Sequence, residues 1–183
     1  MLFNLFYWFE DRDIENLSKV VDLTDKYQVT YDVAKDFNFE CSSYDLYPHA
    51  QTKKVKAGDW TVDHYPKELK EANIVILNIL DYLDNAADID PASFIRQQII
   101  NLSTAMKPGS QLFFISKDLD DCKLENIFSL IYDDTDFSII DFISIPNKDT
   151  YSKEEEVQAI ANRTLLNKFG YVFVLRVIDD SDH

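Results

Sequence analysis

The chain has 183 residues, a formal net charge of −15 and 46% hydrophobic residues, values that favour a single folded domain over residues 1–183. Its 33 acidic residues against 18 basic ones exclude generic binding to nucleic-acid phosphates, because that affinity comes from cationic side chains. Because Gly58, Gly109 and Gly170 are its only glycines, the chain contains neither of the phosphate-binding motifs GxGxxG and GxxxxGKS/T.

The N-terminal third predicts a strand, a helix and a second strand. Residues 2–9, LFNLFYWF, form a nearly continuous apolar run that is typical of a strand covered on both faces. Apolar residues recur at helical spacing over residues 13–26, and residues 27–34 are rich in the β-branched and aromatic residues that favour strands. Residues 39–58 are less regular and predict a short helix or loop before a weak strand.

The rest of the chain alternates more clearly between strands and helices. Residues 72–80 predict a buried strand in the middle of a sheet, and Asp90 and Pro91 mark the start of a helix that ends before Gly109. Further strands are expected at residues 111–116, 137–146 and 170–178, and further helices at residues 124–132 and 152–167. This alternation indicates an α/β fold with a doubly wound, mostly parallel sheet and helices on both faces.

The sequence predicts a cytoplasmic protein. Cys41 and Cys122 are too few for a disulfide framework and are interpreted as buried free thiols, and no Cys or His spacing predicts a metal site. No apolar run reaches the roughly 20 residues that span a bilayer, so we expect no membrane association. Residues 179–183 are expected to form a disordered acidic tail.

Two linked segments carry a family resemblance. ANIVILNILDYL at residues 72–83 is followed by a helix and then by MKPGSQLFFIS at residues 106–116. In this order they resemble the fourth strand and the LKPGGxLxI motif of class I S-adenosylmethionine-dependent methyltransferases. Residues 170–175, GYVFVL, look like the closing strand of that fold, antiparallel to residues 137–146. The resemblance implies a methyltransferase-like, Rossmann-like sheet with a C-terminal antiparallel strand pair.

The resemblance also implies a cofactor cleft. Asp32, predicted at the end of the second strand, takes the place of the acid that binds the ribose hydroxyls in the family. Asp59 and Trp60 look like the acid-containing loop beside the adenine, and Asn78 stands at the end of the fourth strand. These four residues are the predicted S-adenosylmethionine site.

The turn after the first predicted strand departs from the family. In the family a glycine-rich turn lets backbone amides approach the amino-acid moiety of the cofactor. Here residues 7–13, YWFEDRD, contain three aromatic residues, three acids and no glycine. Such a loop should narrow the cleft and repel a carboxylate. The sequence therefore predicts no cofactor, or S-adenosylmethionine where the cleft is open.

Acidic residues follow the fourth and fifth predicted strands. They are Asp81, Asp84, Asp88, Asp118, Asp120, Asp121, Asp133 and Asp134. Loops after parallel strands emerge at one edge of a sheet, so the two groups could form one negative surface that attracts a basic protein partner. General solubility explains the same charge equally well.

The sequence leaves two classes of function open. The first is a non-catalytic binding or inhibitory protein whose acidic surface engages a basic protein, for example as a nucleic-acid mimic of the anti-restriction or anti-CRISPR type. The alternative is an atypical S-adenosylmethionine-dependent methyltransferase, or the degenerate subunit of a heteromeric one. No catalytic residue is predicted, and the negative charge argues against direct nucleic-acid binding.

Overall fold

The computed structural model describes residues 19–45, 54–57, 65–79, 90–117, 123–145 and 170–180. The strands are β1 Lys19–Asp22, β2 Glu40–Asp45, β3 Val55–Ala57, β4 Ile74–Asn78, β5 Gln111–Lys117, β6 Phe137–Ile145 and β7 Gly170–Val177. The helices are α1 Val29–Asp36, α2 Pro91–Ala105 and α3 Leu124–Asp134, and a 3-10 helix covers Lys67–Glu71. Strands and helices therefore alternate along the chain, as an α/β fold requires.

The seven strands within the described residues form one sheet in the order β3-β2-β1-β4-β5-β7-β6. The five strands from β3 to β5 are parallel to their neighbours, and β7 is antiparallel to both β5 and β6. The chain leaves β1 toward one side of the sheet and returns at β4 on the other side. Doubly wound sheets bind their ligands in a crevice at such a reversal, so the carboxyl ends of β1 and β4 are the place where a ligand site is expected.

The sheet is covered on both faces. Alternate residues of the central strands point to opposite sides, as pleating dictates. Ile74, Ile76 and Phe113 belong to a smaller cluster with Ala34 of α1. The larger cluster, on the opposite face, packs α2 and α3 against the residues that alternate with these. Burial on both faces explains why β4 and β5 read as continuous apolar runs.

The predictions for the described part of the C-terminal two thirds are confirmed, whereas the helix predicted at residues 152–167 lies outside the described residues. β4, β5, β6 and β7 fall within one residue of the predicted ranges or inside them, and α2 and α3 form where helices were expected. Asp90 caps α2 by accepting a hydrogen bond from the backbone N–H of Ser93 at 3.3 Å, and Pro91 is the first helical residue. Gly109 adopts a φ of 80° in the turn before β5, which only glycine tolerates well.

The prediction of a helix over residues 13–26 is wrong for the part that the structure describes. Lys19–Asp22 is the parallel strand β1 at the centre of the sheet, although only Val20 and Val21 are strongly apolar in it. Two adjacent valines fill one position on each face, which is enough for so short a strand. The predicted first strand, residues 2–9, lies outside the described residues.

The prediction of a strand over residues 27–34 is also wrong. This segment enters helix α1, whose N-cap residue Gln28 has a φ of 63°. Thr30 and Ala34, four positions apart, are its buried residues, which is helical spacing. The hydrogen bonds that the backbone N–H groups of its first turn donate outweigh the strand preference of its β-branched and aromatic residues. The second strand instead covers Glu40–Asp45, where a helix or loop was expected.

No helix in the described ranges is long and apolar enough to cross a bilayer. Of the predicted acidic tail, Asp179 and Asp180 are described, whereas residues 181–183 lie outside the described part.

Candidate functional site

Three polar residues stand at the carboxyl ends of the central strands. Asp22 ends β1, and it is opposite Ser43 of β2 and Ile76 of β4 in the strand register. Asp45 and Asn78 lie two residues further along those neighbouring strands, so they flank the point where the chain leaves β1. This is the crevice at which the strand order reverses.

The loop that follows β1, residues 23–28, is held to both neighbouring strands. The N–H of Leu23 donates to the carbonyl of Ile76 on β4 at 3.0 Å, and the N–H of Asp25 donates to the carbonyl of Tyr44 on β2 at 2.9 Å. The N–H of Asn78 donates to the hydroxyl oxygen of Thr24 at 2.8 Å, which links the end of β4 directly to the loop. The loop is therefore an ordered part of the sheet edge, hydrogen-bonded to the strands on both sides of β1.

Asp25 is buried at the start of helix α1. One carboxylate oxygen accepts the N–H of Thr30 at 3.0 Å, and the other accepts the N–H of Tyr31 at 2.9 Å. The hydroxyl of Ser43, on β2, donates to the second oxygen at 2.7 Å. The first amides of a helix lack intrahelical acceptors and carry partial positive charge. Asp25 satisfies two of them and neutralises this end of α1.

Asp22 is a second buried carboxylate beside the first. It accepts the N–H of Thr24 at 2.8 Å, the Thr24 hydroxyl at 3.0 Å and the hydroxyl of Thr30. Burial, and next the negative charge of Asp25, raise the pKa of Asp22 from its ordinary value of 3.8 to about 7, against the opposing effect of these hydrogen bonds. A proton on Asp22 is therefore exchanged near neutral pH.

Asp45, at the end of β2, is fully buried with a relative exposure of 0%. It occupies the position that the family resemblance assigned to Asp32, the acid at the end of the second strand. Asp32 instead lies in the first turn of α1, exposed, and accepts a hydrogen bond from the side chain of Gln28 at 3.0 Å. The predicted placement of Asp32 at a strand end is wrong.

The other predicted cofactor residues divide into two groups. Asn78 ends β4 as expected, half-buried, with its backbone hydrogen-bonded to Thr24. Asp59 and Trp60 lie outside the described residues. The predicted glycine-free turn at residues 7–13 also lies outside them. The loop that follows β1, residues 23–28, is LTDKYQ and contains no glycine either.

The predicted acidic surface is described only at Asp133 and Asp134. Both are exposed at the end of α3, and Asp134 forms an ion pair of 2.8 Å with Arg96 of α2. They line an open groove of about 430 Å³ between α2 and α3, which also contains Asn126. The groove includes none of the residues at the ends of β1, β2 and β4. The other six predicted residues, Asp81, Asp84, Asp88, Asp118, Asp120 and Asp121, lie outside the described ranges.

Sequence reasoning missed Asp22, Asp25 and Asp45. The sequence contained a signal for the two strand-end acids, because VVD at residues 20–22 and SYD at residues 43–45 each place an acid after residues that suit a buried strand. Within the described residues, no group of three or more His, Cys, Asp or Glu side chains is arranged to hold a metal ion.

The sequence matches no protein-family model and no curated protein. Solved structures share its fold. An S-adenosylmethionine-dependent methyltransferase from Methanosarcina mazei has a TM-score of 0.61 at 8% identity, with 93% of this chain and 97% of that one covered. The 1,6-didemethyltoxoflavin-N1-methyltransferase of Burkholderia thailandensis, with bound S-adenosylhomocysteine, has a TM-score of 0.59 at 10% identity, with 97% and 88% covered.

A third match is longer than this chain. SMU.776, solved with S-adenosylhomocysteine, has a TM-score of 0.56 at 11% identity, and the alignment covers 87% of this chain but 45% of that protein. Identities this low establish the fold and leave the activity to be argued from the site. The chain has the α/β fold of the class I S-adenosylmethionine-dependent methyltransferases, including its antiparallel C-terminal strand pair.

Proposed function

We propose that the protein is a methyltransferase that binds S-adenosylmethionine at the carboxyl ends of β1, β2 and β4. The observation that carries the proposal is the position of Asp45, a carboxylate at the end of β2 beside the strand reversal of a methyltransferase fold. Carboxylates accept hydrogen bonds from pairs of hydroxyl groups, and a ribose offers two such hydroxyls. S-adenosylmethionine would supply an electrophilic methyl group on a sulfonium centre.

The described residues fit the two halves of this cofactor unequally. At the adenosine end, Asp45 can accept the ribose hydroxyls, and Asn78 stands on the other side of the crevice. Because Asp45 is fully buried, adenosine must displace the atoms that now pack against its carboxylate. At the amino-acid end, the β1 to α1 loop presents buried carboxylates, Asp22 and Asp25, in place of a glycine turn. The adenosine half therefore provides the binding energy in this proposal.

Calorimetry with S-adenosylmethionine and S-adenosylhomocysteine tests the proposal, with Asp45→Asn and Asp32→Asn as matched variants. Both substitutions remove one carboxylate, but only Asp45 lies at a strand end. We expect Asp45→Asn to weaken binding about 10-fold or more, since a hydrogen bond to a charged group contributes about 1.5–3 kcal/mol. Asp32→Asn should leave the affinity unchanged.

Thermal unfolding gives an independent readout, because a ligand that binds only the folded state must raise its stability. The absence of both heat and a melting shift with either compound would refute the proposal. Equal losses in the two variants would show that the general charge, and not the end of β2, determines binding.

A second function, binding of a basic protein partner, rests on the net charge of −15 and on the exposed pair Asp133 and Asp134. One form of this function is mimicry of nucleic acid, and a separate candidate is the degenerate subunit of a heteromeric methyltransferase. Its support is weaker than that of the first proposal, because Arg96 already pairs with Asp134. Affinity purification from the native host distinguishes the two candidates, since a heteromeric enzyme would yield a methyltransferase partner.

A further inference from the structure

We propose that Asp25 fills, from within the chain, the position that would receive the carboxylate of the cofactor's amino-acid end, so that the site recognises adenine nucleosides without regard to that carboxylate. The inference rests on the proposed function and specifies its ligand class. It concerns the loop that follows β1, residues 23–28, and the first turn of α1.

The geometry of Asp25 is that of a bound carboxylate ligand. Its two oxygens accept separate backbone N–H groups, from Thr30 and Tyr31, which are the second and third residues of α1. These are the amides that an N-capping side chain or an external anion would use. The hydroxyl of Ser43 supplies a third donor to Asp25. With 4% relative exposure, Asp25 is held on the helix side and on the β2 side together.

A ligand carboxylate cannot share these donors. It would have to displace Asp25 from the two amides, and Asp25 would then be a buried charge without its hydrogen bonds, which is strongly unfavourable. Asp22 lies against the same turn, because Thr30 donates to both carboxylates, through its N–H to Asp25 and its hydroxyl to Asp22. An incoming anion would therefore meet two acids in a region of low dielectric constant.

The same arrangement does not oppose an uncharged ribose or thioether. Neither group needs the amides of α1, and neither is repelled by Asp22 or Asp25. A protonated amine would even be attracted by this pair of acids. The ligand class that fits is an adenine nucleoside with a neutral or cationic group on its 5′ substituent, and a carboxylate on the same substituent, as in S-adenosylmethionine, adds nothing to its affinity.

Calorimetry of the wild-type protein with S-adenosylhomocysteine and with its decarboxylated analogue tests the inference. The two compounds share the adenosine, the thioether and the amine, and they differ in one carboxylate. We expect the decarboxylated analogue to bind as tightly as the parent compound, within threefold, or more tightly. Parent binding more than tenfold tighter would overturn the inference and leave the proposed function intact. Binding of neither compound would overturn both.

The variant Asp25→Ala supplies a second test, with Asp32→Ala as the control on the same helix. Removing the Asp25 side chain exposes the two amides of α1, so acetate should raise the melting temperature of Asp25→Ala more than equimolar chloride does. Asp32→Ala, which leaves those amides occupied, should show no difference between the salts. A folded Asp25→Ala protein that does not respond to acetate would count against the inference. The wild-type comparison decides the question if that variant does not fold.

Discussion

Asp22 carries the clearest physical prediction of the structure, because a buried acid with a raised pKa makes stability depend on pH. Replacing it with asparagine keeps the shape and an acceptor for the N–H of Thr24, and its new amide can donate to the hydroxyl of Thr30. The substitution removes the titrating proton and the negative charge that faces Asp25. We therefore expect Asp22→Asn to fold and to lose one component of the pH dependence.

The sign follows from the direction of the shift. Burial and the charge of Asp25 raise the pKa of Asp22 from 3.8 to about 7 in the folded protein, so the folded state binds the proton more tightly than the unfolded chain does. The stability from this group is complete below pH 3.8 and is lost as the pH rises toward 7. Each pH unit within that window costs about 1.4 kcal/mol, which amounts to about 2–3 kcal/mol between pH 5 and pH 8.

Urea unfolding of the wild type and of Asp22→Asn across pH 5–8 measures this loss. The difference in the free energy of unfolding between the two proteins should move in favour of Asp22→Asn by about 2–3 kcal/mol over that range. Asp36→Asn, which removes an exposed carboxylate from the end of α1, is the control for a change in net charge. If the curves of wild type and Asp22→Asn stay parallel within about 0.5 kcal/mol, Asp22 is already ionised at pH 5 and the reasoning from burial is wrong.

Three further predictions concern other parts of the molecule. Thr24→Val removes the hydroxyl that joins the loop after β1 to the end of β4. It should lower the free energy of unfolding by about 2 kcal/mol in urea titrations, because the half-buried N–H of Asn78 and the buried carboxylate of Asp22 each lose a partner. Burial raises the pKa of the half-buried Cys41 thiol to about 12. In a Cys122→Ser variant, alkylation of Cys41 by iodoacetamide at pH 7.5 should therefore be far slower in the native protein than in urea. Equal rates would contradict the burial argument. Capture of a basic nuclease in pull-downs at low salt should be lost at high salt if the acidic surface binds by charge, whereas capture that is indifferent to ionic strength would refute an electrostatic mechanism.

The described part of the C-terminal two thirds of the fold could be predicted because its local signals agree with its tertiary setting. β4 and β5 are buried on both faces and read as uninterrupted apolar runs. Helix α2 has its cap and its proline where residue preferences place them, and Gly109 ends the connection to β5. In such segments the periodicity, the capping residues and the turn residues all predict the same secondary structure.

The N-terminal third could not be predicted because its strand signal is weaker than its helix signal. β1 contributes only two valines to the core, and these valines continue the helical spacing of the apolar residues before them. Helix α1 contains Val29, Tyr31 and Val33, residue types that favour strands in isolation. Asp25, which precedes α1 in sequence, favours the helix by accepting hydrogen bonds from the backbone N–H groups of Thr30 and Tyr31.

The prediction of the site depended on which segments of the N-terminal third form strands and which form helices. Once the helix and the strand of this region are exchanged, the acid at the end of the second strand becomes Asp45 and Asp32 becomes an exposed helix residue. The absence of glycine did not depend on the register, since no glycine precedes Gly58 anywhere in the chain. The glycine-free turn expected from the sequence was placed at residues 7–13, outside the described residues, and the sequence did not show that Asp25 accepts hydrogen bonds from the first amides of α1. Asp25 distinguishes this sheet edge from one with a glycine turn, and in our proposal it links the stability of α1 to the choice of ligand.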